Sequence, residues 1–306
     1  MTILFTVVSA LGRAHTRGDA DDTSSQTQPI SHVAWLVTTH SGNDVLDFDS
    51  AGNETVLIGP AAGIEGARGV AVGPDHNLYV CSSKKDRSRI LRFSPTGQPL
   101  GTFASGGGMS HPYDLAFGPD RNLYVSGQDD DAVSEFDGHT GNFLRTFIPK
   151  GTGGLKKVRG ILFSPNGDLL VASRDSDSIL RFSPTGKFLG AFVSPNSGSL
   201  EKPIQLHFGP DKNLYVGSSG NSAILRYNGF TGQFIDAFVS PRAGGLNAPS
   251  GFAFSPEDGD LYVASRLSNQ VLRFDGRTGQ FKSVFLPAGS AASHLTTPEF
   301  LIPWRH

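Results

Sequence analysis

Apolar residues in this chain come in short runs, β-branched or aromatic, separated by polar clusters rich in Gly, Pro, Asn and Asp. No 3.6-residue apolar period of helical length occurs, so the pattern predicts strands and tight turns. One phrase recurs: Gly73-Pro74-Asp75-His76-Asn77-Leu78-Tyr79-Val80, then Gly118-Pro119-Asp120-Arg121-Asn122-Leu123-Tyr124-Val125. It returns with Ser164-Pro165-Asn166, with Gly209-Pro210-Asp211 and with Ser255-Pro256-Glu257 at its head. Counted from Asn77, the copies start 45, 46, 45 and 47 residues apart. A second phrase follows each copy, as in Ile90-Leu91-Arg92-Phe93 and Val271-Leu272-Arg273-Phe274.

Each repeat reads as four strands. Gly-Pro-Asp makes a turn because Pro presets φ and Asp bonds its own backbone. Ser94-Pro95-Thr96-Gly97 and its copies mark a second hairpin. Four strands in such a period predict a β-propeller blade, and the fold class is all-β. Five full copies run from about 67 to 286. Ala34 to Ile58 supplies the last three strands of another blade, and Pro298 to Pro303 matches only a first strand. The fragments complement each other, so the C-terminal strand is expected to complete the first blade and close a six-bladed ring over residues 31–306. Residues 1–30 fall outside the repeat and read as a flexible segment. Their apolar start, Ile3 to Leu11, lacks a preceding Lys or Arg, a weak secretory signal that leaves cytoplasmic and secreted locations both open.

Composition narrows the function classes. The chain has 306 residues, a net charge of −2 and one cysteine. That charge argues against a nucleic-acid binder, the lone cysteine excludes a disulfide framework, and no apolar stretch approaches a membrane span.

The Gly-Pro-Asp-x-Asn-Leu-Tyr-Val and Ile-Leu-Arg-Phe-Ser-Pro-Thr-Gly phrases resemble those of NHL-type propellers, and among them the virginiamycin B lyase-like group. The resemblance covers about residues 31–306 and rests on turns and strands, which specify fold rather than chemistry. It implies a lyase breaking a carbon–oxygen bond in an ester or lactone-like natural product, with a divalent metal held by His and Glu. The lyase's repeats typically end in Trp-Phe-Thr-Glu. Here the same place holds Val80-Cys81-Ser82, Val171-Ala172-Ser173 or Val216-Gly217-Ser218, so no catalytic residue is carried over. No cofactor is assigned, and a divalent metal is left open. A related peptide-amidating lyase binds metal through three inner-strand His residues, where this chain offers only His207.

Internal comparison locates a working face. The first and third turns of each blade are nearly uniform, whereas the loops at the other end differ from blade to blade, as a site requires. The mouth of the central channel lies on that variable side. Aligned before the inner strands are Arg68, Tyr113, Arg159, Ile204, Ser250 and Glu299. The next ring is Gly69, Asp114, Gly160, Gln205, Gly251 and Phe300, where glycines give room at the axis and the larger residues project into it. Arg174, Arg266 and His40 align on neighbouring loops.

Glu299 and Asp114 are the expected catalytic acid or base. Arg68, Tyr113, Arg159, Arg174, Gln205, Arg266 and His40 are the expected substrate-binding groups, the arginines suiting an anion. Blander readings stand beside these. Arg68 and Arg159 could pair with Asp114 and Glu299 and tie blades together. Asp129-Asp130-Asp131 reads as a solvated acidic loop, His207 as a hydrogen-bonded interior histidine, Cys81 as a packing residue and the Arg92 series as scaffold. Two functions follow: a lyase-like or cyclase-like enzyme acting on a polar or anionic small molecule at the channel mouth, or a non-catalytic module binding a protein or peptide through the variable loops.

Overall fold

A computed structural model of the chain describes residues 34–289 and 294–304. The expectations for residues 1–30 lie outside them. The described chain forms six four-stranded antiparallel sheets, with short 3-10 turns in several of the connecting loops. No described helix is long and apolar enough to cross a membrane.

Blade 1 is Pro298–Trp304, Ala34–Thr39, Asp44–Phe48 and Glu54–Ile58, from the axis outward. Blades 2 to 6 begin at the axis with Ala67–Val72, Pro112–Phe117, Val158–Phe163, Pro203–Phe208 and Pro249–Phe254, and each continues outward in chain order. The expected closure is present: Ala34 faces Trp304, Leu36 faces Ile302 and Val37 faces Leu301 across an antiparallel ladder. Closing the ring pairs a sheet edge that would otherwise lie open.

The recurring phrase explains both turn and packing. Asp75 Oδ1 accepts the Asn77 N–H at 3.1 Å, and its Oδ2 accepts the Tyr79 hydroxyl at 3.0 Å. The same bond joins Tyr124 to Asp120, Tyr215 to Asp211 and Tyr262 to Asp258. The Tyr79 ring stands edge-on to Phe103 of its own blade and Phe117 of the next, at 4.8 and 5.0 Å between centroids. Such aromatic pairs add about 0.5–1.5 kcal/mol each beyond burial, so the phrase fastens neighbouring blades as well as turning the chain.

Every inner strand also carries a bulge at the same place. Ala67 faces Ser82 but Val70 faces Val80, so Arg68 and Gly69 together oppose one residue. The slip recurs at residues 113–114, 159–160, 204–205, 250–251 and 299–300. A bulge bends the strand and re-aims its side chains.

Candidate functional site

These six bulges carry the two rings read from the sequence. Glu299 is fully buried, and its Oε1 accepts hydrogen bonds from Arg68 Nη1 and Arg266 Nε, both at 2.8 Å. The Tyr113 hydroxyl donates to its Oε2 at 3.2 Å. The guanidinium carbons of Arg159 and Arg68 lie 4.5 and 4.9 Å from the centroid of the Tyr113 ring. Charge–ring contacts of this kind gain most when desolvated. The structure therefore gathers Glu299, Arg68, Arg266, Tyr113 and Arg159. Of the expected pairings, Arg68 takes Glu299. Arg159 takes no carboxylate among the described residues and stacks on tyrosine instead. Burial is the main influence holding Arg159 below its ordinary pKa; Tyr113 opposes it, and Arg68 and Arg174 add repulsion. Arg174 itself reaches Asp175 at 2.5 Å on the exposed side.

His40 belongs to this cluster. Its Nδ1 is buried without a hydrogen-bond partner, as is Arg68 Nε. Burial first, then Arg68, hold the imidazole below its ordinary pKa against the opposing pull of Glu299. Burial and the guanidinium groups thus favour the neutral imidazole of His40. Its packing against Gly66 leaves little room there, since a Cβ on that glycine would lie 3.0 Å from His40 Cε1.

Asp114 and Gln205 behave differently from the rest. Asp114 Oδ1 accepts the Leu115 N–H at 2.8 Å, and Oδ2 accepts the Ile161 N–H of the next blade at 3.0 Å. Gln205 Oε1 accepts the Phe252 N–H of its next blade at 2.6 Å. Both side chains serve amides just past a bulge, where the strand ladder is interrupted. Burial pushes the Asp114 carboxyl up to about 7, outweighing the two N–H bonds. The glycines of that ring admit the neighbouring strand: a Cβ on Gly160 would lie 2.5 Å from the Ile204 oxygen, and one on Gly251 2.6 Å from the Glu299 oxygen. The second ring therefore stitches blades, and its larger polar side chains turn toward neighbouring backbone.

The remaining readings can be placed. His207 Nδ1 lies 2.7 Å from the Phe208 carbonyl oxygen, and burial lowers its pKa. Cys81 is buried, and burial raises its thiol well above the usual range. The Asp129–Asp131 loop is tied down: Asp129 meets His111 at 2.5 Å and Lys157 at 3.2 Å, and Asp131 accepts the Lys157 N–H at 2.5 Å. Arg181 and Arg273 pair with Asp168 and Asp260 on the outer part of the blades.

The fold has solved counterparts. A propeller in a nidogen/laminin complex superposes with a TM-score of 0.70 at 17% identity, covering 89% of this chain and 98% of that one. Virginiamycin B lyase from Staphylococcus aureus gives 0.60 at 14%, covering 90% and 89%. A proposed 6-phosphogluconolactonase from Bacteroides fragilis gives 0.63 at 18%, covering 91% and 99%. The propeller fold is virginiamycin B lyase-like. At these identities the likeness to the lyase is one of architecture. No family model matches the sequence, and no curated protein matches it.

The divalent metal that a lyase-like reading implies does not fit the cluster around Glu299. The buried carboxylate there is already engaged by two guanidinium groups, and cations crowd the space a third cation would enter. Among the described residues, no group of three or more His, Cys, Asp or Glu side chains is arranged to hold a metal ion.

Proposed function

We propose that this propeller is a lyase-like enzyme that binds an anionic small molecule at the channel mouth and moves a proton there. One observation carries the reading: buried Glu299 organises Arg68, Arg266 and Tyr113, while Arg159 is left without a carboxylate and the Arg68 Nε and His40 Nδ1 without partners. Buried polar groups are normally satisfied, so unspent donors and acceptors beside a surplus of positive charge suit a ligand.

In this reading Arg159 and Arg174 hold the anionic group. His40, kept neutral by its surroundings, takes a proton from the carbon beside a carbonyl. The C–H electrons pass into an enolate, stabilised by the Arg68 guanidinium more than the ground state is. As the enolate collapses, a β carbon–oxygen bond breaks and the oxygen leaves with the electron pair. Glu299 and Asp114 act as positioning residues, since both are committed to protein donors. A cyclase variant would use the same cluster chiefly to position its substrate. The alternative, a peptide-binding module, calls for exposed aromatic anchors on the variable loops.

The test is a screen of lactones and carboxylated natural products, followed by His40→Asn and Arg159→Ala beside the outer-blade control Arg92→Ala. Loss of the His40 base should cost about 100-fold or more in kcat, and loss of Arg159 should appear chiefly as a raised KM. Full activity in both mouth variants, with the fold intact, sinks the mechanism.

A further inference from the structure

Between three pairs of neighbouring blades a tyrosine ring is held by two phenylalanines and bonded to a turn aspartate, and a fourth ring, Tyr262, stands against Phe285 and Trp35. Blade 4 lacks that ring. Leu170 stands where other repeats have Tyr79, Tyr124, Tyr215 and Tyr262, yet both aromatic walls remain as Phe192 and Phe208. Blade 1 also has a leucine there, Leu36, but its walls have shrunk to Leu57 and Val72.

Two further exchanges accompany Leu170. Ser164 replaces the glycine found as Gly73, Gly118 and Gly209, where a Cβ would lie 2.4, 2.6 and 2.4 Å from the tyrosine Cε2. Asn166 replaces the aspartate that accepts the tyrosine hydroxyl. A cavity of about 500 Å³ lies here between blades 4 and 5, on the face that carries the Ser164-Pro165-Asn166 turn. Leu170, Phe192, Phe208 and the largely exposed Phe230 line it, with Arg181 and Lys212 at its edge. Arg181 is shared with Asp168 at 2.7 Å, whereas Lys212 has no ion pair among the described residues.

We propose that this cavity binds a small aromatic carboxylate. Its ring takes the place of the missing tyrosyl ring between Phe192 and Phe208, where four sister repeats place an arene. Its carboxylate meets Lys212 and Arg181. The nearby carboxylate, Asp168, is already engaged by Arg181 at 2.7 Å and by the Asn166 amide at 2.9 Å, so Lys212 is the cation left to meet the ligand's charge. The sister groove between blades 2 and 3 sets Asp75, Asp120 and Asp137 among Arg92, Arg121 and His139, and there the Tyr79 ring already fills the place between the two phenylalanines. The volume falls within the usual range for small-molecule sites, about 300–1,000 Å³. This site is independent of the mouth chemistry.

Phenylacetate, titrated into the full chain and followed by methyl NMR, tests the proposal. The Leu170 methyl resonances should shift saturably. Lys212→Gln should weaken phenylacetate at least about tenfold, a loss of about 1.4 kcal/mol, while leaving benzyl alcohol unaffected. The triple variant Ser164→Gly/Asn166→Asp/Leu170→Tyr restores the ring and its turn aspartate and should abolish binding of both. Unmoved Leu170 methyls in the parent chain overturn the site, whether or not the triple variant folds. Equal phenylacetate affinity in Lys212→Gln overturns the carboxylate assignment.

Discussion

Arg68 and Glu299 lie 231 residues apart in sequence and 2.8 Å apart in space. Glu299 stands on the strand that closes the ring, and Arg68 on the innermost strand of the next blade. Closure of the ring and assembly of the cluster around Glu299 are therefore one event. Glu299→Gln removes the charge that two guanidinium groups share. Breaking a buried ion pair from one side costs about 3–5 kcal/mol, and the retained amide oxygen should keep the loss near the lower end. Denaturant midpoints of the variant and parent chain measure it.

Removing residues 295–306 should abolish cooperative unfolding, because it exposes the inner edge of blade 1 and strips Arg68 and Arg266 of their partner. An unchanged melting curve for the shortened chain would show that closure does not hold the ring together.

Gly160→Ala and Gly251→Ala should each destabilise the fold by about 1–3 kcal/mol, because the new methyl meets neighbouring backbone that cannot yield. Gly217→Ala is the contrast. A Cβ there finds ordinary contacts beginning at 3.5 Å, and sister blades already carry Ala172 and Ala264 at that place. Its unfolding midpoint should stay close to that of the parent.

Asp114 should make stability depend on pH. Its folded value of about 7 lies above the ordinary 3.8, so the folded chain holds a proton that the unfolded chain has released between those values. The contribution is fully present below about pH 4 and is lost as pH rises through about 7. Asp114→Asn should remove that slope, although it also weakens the Leu115 or Ile161 bond and lowers stability throughout. The difference in unfolding free energy between the two proteins, followed from pH 4 to 8, should be largest at pH 4 and level off above 7. A difference independent of pH would show that Asp114 does not titrate in this range.

Repetition made much of this legible from residues alone. Five copies of one phrase and two complementary fragments determine the blade count, the closing strand and which face varies. Residues at equal phase in a repeat occupy equivalent places, so the mouth ring from Arg68 to Glu299 could be listed by alignment. The partners of its side chains could not. Alignment compares blades one with another, whereas Glu299 chooses among arginines across blades. That choice depends on the bulge, which re-aims each side chain, and on how closely the glycines let adjoining strands approach. Asp114 could be listed as an acid or base, or as a partner for Arg68 or Arg159, because nothing local shows that it accepts the Ile161 N–H left by the next blade's bulge. The cavity beside Leu170 has a similar history. Its three exchanges are visible along the chain, but they become a space only where Phe192 and Phe208, from two different blades, remain in place on either side. Local pattern determined the strands, turns and ring; the tertiary structure decided which groups were spent on holding the blades together and which were left without such partners.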